Sequence, residues 1–429
     1  MRIVQITSDF GLGGVQKGAI VLGKHMGDLG ADSFIVTNRD GPRLDRAYLR
    51  SAQPIVAGEG LDRVVAVIAR LNPEVIHIHN SLFDEAMVEA LVGATKALLV
   101  STPVFGRPPA RRRTLERTLT CCVGLYTHRR FCTWTRIPVA ESFARGIFWV
   151  PITPFDPPEL SLAEGASGPG TAGKGEVTFG RVARPSAMKW HPDHPRMIDA
   201  LLESDCRFRW VSVGWPEQMQ RARLREKWGD RFVNHEQIEN YETLCRLIRG
   251  LDVHFFASRY GECFSSSIAE CAGLGVPTLA LLHPLRDCGE IEQVVERVTG
   301  VAVASGDELV QHARSLGQDP ARLSALKVTT REYAANHWHG RVVAQELLEL
   351  YKAYRAGSRE RVAKSTLQQE ANSFSRAYHR RLLGFYRSPL RRACMGAALR
   401  ATEQYWTHQL ARRCLALPRK IRAVLRPSN

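Results

Sequence analysis

The chain alternates short unbroken apolar runs with longer segments whose apolar positions recur every three or four residues. The first pattern reads as strands buried on both faces, the second as amphipathic helices. The runs are Ile3 to Thr7, Ala31 to Thr37, Glu74 to His79 and Ala97 to Thr102, with helices from the Gly11 to Lys17 turn to about Leu29 and over Leu61 to Leu71. A second series opens at Val177 to Gly180 and continues through Arg209 to Val213, Phe232–Val233, Leu251 to Phe256 and Val276 to Leu282. Helices over Glu217 to Trp228, Tyr241 to Arg249 and onward from Ser265 fall between these runs. Strand, helix, strand in repetition predicts parallel sheets, so the chain reads as α/β. Pro154 to Lys174 is rich in Pro, Gly and Ser, lacks periodicity and reads as a linker. The expected organisation is a first domain at 1–150, a linker at 151–175, a second domain at 176–337, a crossover helix at 338–356 and a helical extension at 357–429.

The densest chemistry lies in Gly261 to Pro277. Glu262 follows a strand and Glu270 stands eight residues on, in a helix opened by Ser265 to Ser267 and closed by Gly273 and Gly275. Ligands of open α/β sheets bind at the carboxyl ends of strands, and a helix N-terminus there suits a phosphate. A carboxylate beside it accepts hydrogen bonds from sugar hydroxyls; the bland alternative is two solvated surface glutamates. Arg184 and Lys189, five apart after another strand, can converge on one diphosphate, although such charge pairs are commonplace. Arg181 is eight residues from Lys189 and fits that spacing less well. Gly13 and Gly14 let backbone amides approach an anion, or serve tight packing. A dinucleotide fingerprint fails there because Gln16 holds its last glycine position. His77 and His79 share one strand face and read as interface histidines rather than half of a metal site.

Charge changes the picture at one end. The net charge is +16 over 429 residues, yet sixteen Lys and Arg against three Glu lie from Gly357 onward, leaving the rest close to neutral. That extension interleaves arginines with Phe374, Tyr378, Leu382, Phe385, Tyr405 and Trp406 at helical spacings. It predicts basic amphipathic helices suited to an anionic membrane surface, or a helical appendage packed on the body; a nucleic-acid partner is not expected. A second basic cluster stands at Arg111, Arg112, Arg113 and Arg117. Ten cysteines without a C-x-x-C pair predict reduced thiols and no metal site. Met1 leads straight into a strand and no run of eighteen apolar residues occurs, so a cytoplasmic protein, peripheral on the inner membrane face, is expected.

Glu262, Phe264 and Glu270, with Gly275-Val276-Pro277, resemble the E-x7-E signature of retaining, nucleotide-sugar-dependent glycosyltransferases of family 4. Cys263 stands for the usual Gly, and Cys271 and Gly273 for the usual Ala. The Gly13-Gly14-Val15-Gln16 turn resembles that family's G-G-x-E/Q loop, and Arg184 with Lys189 its G-R-x-x-x-x-K-G element, with Ala183 and Trp190 replacing glycines. The resemblance covers roughly residues 1 to 355. It implies the GT-B fold: two Rossmann-like domains facing a cleft, here with a helical C-terminal extension. It further implies a nucleoside diphosphate sugar as donor substrate, no cofactor, no metal, and a glycan or lipid-linked acceptor, with a role in cell-surface polysaccharide or lipopolysaccharide synthesis. Glu262, Arg184 and Lys189 would be catalytic. Gly13, Gly14, Phe264, Ser265 and Glu270 would complete the donor site, with the base near Gly214 and Glu236-Gln237-Ile238. His79, Thr102 and Arg107 would face the acceptor. Many relatives carry a histidine just after the strand ending at Thr102, and this chain does not. A catalytically silent GT-B binding protein, localised by its tail, is the main alternative, with a sugar-nucleotide epimerase or a phosphorylase on the same fold as another.

Overall fold

The apolar runs form two separate parallel sheets. The computed structural model describes residues 1–10, 13–41, 51–80, 85–103, 109, 112–151, 155–157, 175–282, 287–384 and 393. The first sheet contains Arg2–Asp9 (β1), Asp32–Arg39 (β2), Gln53–Val56 (β3), Val75–Asn80 (β4), Leu98–Pro103 (β5), Leu119–Cys122 (β6) and Ile147–Trp149 (β7), ordered β3-β2-β1-β4-β5-β6-β7. The second contains Val177–Val182 (β8), Phe208–Val213 (β9), Phe232–His235 (β10), Val253–Phe256 (β11), Thr278–Leu281 (β12) and Gly300–Val303 (β13), ordered β10-β9-β8-β11-β12-β13. Both orders are doubly wound: the chain starts centrally, works to one edge, then resumes on the other side of its first strand. Val4 of β1 sits between Phe34 of β2 and Ile76 of β4, and all six residues of β8 are buried. Helices cover both faces, which is why these strands read as unbroken apolar runs.

Strand β3 escapes the apolar pattern because it is a short, mostly exposed edge strand. Pro54, which lacks an N–H, is tolerated at such an edge.

The two domains are joined twice. Phe155 donates its amide to the Trp338 carbonyl at 3.0 Å and accepts the Gly340 amide at 2.9 Å, pairing the outgoing and returning chain. The helix Gly340–Arg355 then packs back on the first domain through Val343, Ala344, Leu347 and Tyr351. A Cβ on Gly340 would meet His25 at 2.4 Å and Val21 at 2.6 Å, so the helix Gly14–Asp28 approaches closely there.

The extension is in part a docked element. Helix Thr366–Gly384 buries Gln368, Ala371, Phe374, Tyr378 and Leu382. Phe374, Tyr378 and Leu382 cluster with Tyr126 of the first domain and Leu282, Cys288 and Ile291 of the second. Gln368 donates to the Val139 carbonyl at 2.7 Å and Arg381 to the Ile291 carbonyl at 2.8 Å. The aromatic positions expected to meet a membrane surface in this helix are therefore covered by the protein itself, because its apolar stripe matches a groove formed by both domains. The remaining tail positions named above, Phe385, Tyr405 and Trp406, lie outside the described residues. Among the described residues no helix is long and apolar enough to cross a membrane.

Replacing Phe374 with Ala is expected to destabilise the chain by about 3 kcal/mol, the usual cost of emptying a buried phenylalanine site. Urea unfolding checks this, and a loss below about 1 kcal/mol would show the helix undocked. Glu292 crosses the domain boundary to accept the amides of Leu125 and, at 3.4 Å, Tyr126. Burial pushes its carboxyl up to about 8 despite those amides. Folded protein then holds a proton that unfolded chain releases near pH 4.3, so its contribution to stability declines from about pH 4.3 to about pH 8. Glu292→Gln should gain in Tm over the native chain as pH rises through that window; a difference constant with pH counts against it.

Candidate functional site

A cleft of about 540 Å³ opens between the domains at the carboxyl ends of the central strands of both sheets. From the first domain come Gly13, Gly14 and Lys17, after β1; from the second come Arg181, near the end of β8, Arg184 and Lys189 after it, and Glu262 to Ser267 with Glu270, after β11. These three turns meet because β1 and β8 each stand at the point where their strand order reverses.

The motif loop is held from behind. Gly261 has φ +72°, and a Cβ there would lie 1.7 Å from the Asp287 carbonyl oxygen, so only glycine fits. The Gly289 amide donates to the Glu262 carbonyl at 2.8 Å. From the first domain, Arg130 donates to the Asp287 carboxylate and, at 3.3 Å, to Cys263 Sγ. Cys263 is thus buried at a domain contact, a role that the usual Gly lacks the atoms to fill.

Lys189 Nζ donates to both oxygens of Glu262 at 2.6 Å. Lys17 pairs with Glu270, so each motif carboxylate already meets an ammonium. Arg181 and Arg184 make no ion pair among the described residues. Arg184 is exposed at the rim, whereas Arg181 is 1% exposed, its guanidinium 4.3 Å from the Phe256 ring centroid. Its Nη2 donates to the Lys189 carbonyl, while Nε and Nη1 are buried with no hydrogen-bond partner among the described residues. Burial lowers its pKa to about 10, opposed by Glu262 and Glu290. Spacing alone favoured Arg184; both arginines line the cleft, Arg181 buried and Arg184 exposed. The Gly180-Arg181 pair was the available signal, hidden by the three residues that lengthen the loop to Lys189. Trp190 anchors that loop by donating Nε1 to the Arg184 carbonyl at 3.1 Å.

Ser265 lines the cleft, but its backbone is occupied: the amide donates to Gln293 Oε1 at 2.7 Å and the carbonyl accepts Nε2 at 2.9 Å. It does not leave that amide for a sugar. Ser266 and Ser267, in the first turn of the helix that follows, also line the cleft. Phe264 separates the cleft from a second cavity of about 320 Å³ and meets Trp338 edge-on at 6.3 Å. Gln237 and Ile238 also line the cleft.

His79 and Thr102 lie in the sheet interior, 3% and 0% exposed, outside the cleft lining. His79 meets Gln5 Oε1 at 2.5 Å; His77 bridges Thr102 and Tyr351, each at 2.5 Å. Burial takes the His79 pKa down to about 3 and His77 well below its ordinary value. Neutral and hydrogen-bonded, His79 ties β4 to β1, and His77 ties it to β5 and to the crossover helix. Arg107 and Arg111 lie outside the described residues.

Two doubly wound domains facing a cleft, with a helical C-terminal region, define the GT-B fold. Among solved structures the chain is similar to a glycosyltransferase from Rickettsia africae, with TM-score 0.64 and 16% identity over 85% of this chain and 99% of that one. It is similar to a sucrose-phosphate synthase from Thermosynechococcus elongatus, with TM-score 0.62 and 16% identity over 83% and 100% of the two chains. Anabaena HepE, solved in complex with UDP-glucose, matches with TM-score 0.59 and 15% identity over 82% and 100%. No protein-family model and no curated protein matches the sequence.

Arg181→Met should raise thermal stability by about 1 kcal/mol or more, because a buried cation with two unpaired N–H sites gives way to an apolar chain of similar length. Calorimetric melting checks it, and destabilisation would mean that the ring contacts of Arg181 outweigh its desolvation.

Proposed function

We propose that this chain is a retaining glycosyltransferase of family 4, moving a sugar from a nucleoside diphosphate sugar to a glycan or lipid-linked acceptor. The observation that carries the reading is the convergence of Arg181, Arg184 and Lys189 with Glu262 and Glu270 in one interdomain cleft. Two guanidinium groups that make no ion pair among the described residues, beside a helix N-terminus, make a site for a polyanion. The bond from the anomeric carbon to the diphosphate oxygen breaks as the acceptor hydroxyl oxygen bonds that carbon, and the hydroxyl proton passes to the departing diphosphate oxygen. Negative charge then grows on the diphosphate, where Arg181, Arg184, Lys189 and the Ser266 and Ser267 amides stabilise it. Glu262 accepts sugar hydroxyls, its orientation fixed by Lys189, and Glu270 accepts ribose hydroxyls. Gly13 and Gly14 bring the first domain's backbone close to the donor. Basic side chains take the part of a metal, and no cofactor enters the reaction. Donor sugar, base and acceptor are left to experiment; a cytoplasmic enzyme of cell-surface polysaccharide or lipopolysaccharide synthesis, peripheral on the membrane, fits the basic C-terminal sequence.

The test is calorimetric titration with UDP-, GDP-, ADP-, CMP- and dTDP-sugars, with and without EDTA. One donor is expected to bind in EDTA, and Lys189→Ala and Arg181→Met should each weaken it about tenfold or more, as loss of a charge-assisted contact does. No binding across the panel would leave a catalytically silent GT-B protein as the better reading.

A further inference from the structure

Lys17 stands in the helix Gly14–Asp28 of the first domain, and its ammonium reaches into the second. It donates to Glu270 Oε1 and, at 2.8 Å, to the Tyr241 hydroxyl, while lying 4.2 Å from the centroid of the Tyr241 ring. The Lys17 and Glu270 side chains are 5% and 8% exposed, so the pair is buried, yet both residues line the cleft. Only one oxygen of Glu270 is taken; the other makes no hydrogen bond among the described residues. Tyr241 opens the helix Tyr241–Arg249, three residues beyond Ile238 in the cleft wall.

We infer that Lys17 is a positioning residue for nucleoside recognition: it holds one oxygen of Glu270 from the opposite domain and presents the other to the ribose hydroxyls. This deepens, and rests on, the nucleotide-sugar reading. A buried carboxylate stripped of its counter-ion turns toward water or takes up a proton, and either change spoils it as an acceptor. Because the counter-ion belongs to the first domain, Glu270 is correctly set only when the domains are together. Ribose recognition and domain closure thereby become one event, and the Tyr241 contact extends it to the Gln237–Ile238 segment. Gly13 and Gly14 lie one turn before Lys17 on the same helix, so the backbone that approaches the donor and the side chain that sets Glu270 move as one body.

The experiment compares binding of UDP, GDP and ADP with that of their 2′-deoxy counterparts, and of inorganic pyrophosphate, to the full chain and its variants. The native chain should favour one ribonucleotide over its deoxy form by about tenfold, the value of one hydrogen bond to a charged group. Lys17→Met should bring that ratio within about twofold while leaving pyrophosphate affinity unchanged, and Lys17→Arg should restore most of the preference. Glu270→Gln added to Lys17→Met should cost nothing more in the ratio. If the Met variant does not fold, Lys17→Gln carries the same comparison. A ribose preference that survives loss of Lys17 overturns the inference and leaves the donor reading standing. A native chain that binds pyrophosphate but no ribonucleotide overturns both.

Discussion

Between the two sheets, the ammonium of Lys17 meets the carboxylate of Glu270 with almost no water around either. Taking two charges out of water is expensive, and only a close partner offsets it. Each residue therefore fixes the other, and the domains that carry them are fixed as well. Arg130 and Asp287 make a second buried pair across the same boundary, 7% and 3% exposed. Interfaces between domains are usually polar and loose. Here the polar groups are buried and matched, so the cleft has a definite shape.

That matching has a purposeful gap. Both motif glutamates are paired with lysines, while Arg181 and Arg184 make no ion pair among the described residues. The Arg181 guanidinium is buried with two N–H sites unused, a configuration that folding alone disfavours. Under the donor reading proposed above, such a group is preorganised for a negatively charged ligand, since its donors need not be turned when the ligand arrives. The aromatic rings of Phe256 and Trp190 hold the guanidinium in place without satisfying its hydrogen bonds.

The helix Thr366–Gly384 extends the same logic to the outside. It touches both domains through one apolar stripe, adding hydrophobic burial to a boundary otherwise pinned by charge. Its arginines Arg376, Arg380 and Arg381 are exposed, and Arg129 of the first domain lies 4.2 Å from its Tyr378 ring. Membrane attraction by the chain's basic end would accordingly have to come from charge and from positions other than Phe374, Tyr378 and Leu382.

Period and punctuation determined the two α/β halves, since a parallel strand covered on both faces must be apolar throughout and its neighbouring helices amphipathic. The same reading singled out Glu262, Glu270 and Lys189, which the fold brings to one cleft, because strand ends and helix starts can be placed without any knowledge of packing. Strand β3 was invisible because an exposed edge needs no apolar residues. Tertiary structure alone shows that Arg181 is buried while Arg184 is exposed, because spacing along a loop does not say which side chain turns inward. It also moved His79 and Thr102 from the cleft into the sheet, and occupied the Ser265 amide with Gln293, twenty-eight residues away. Lys17 is the clearest case: on its helix it is an unremarked lysine, and only the second domain, folded from residues more than two hundred positions later, supplies the carboxylate and ring that give it a role. Local sequence sets what each segment can be, but a buried charge acquires meaning from the partner that reaches it through space.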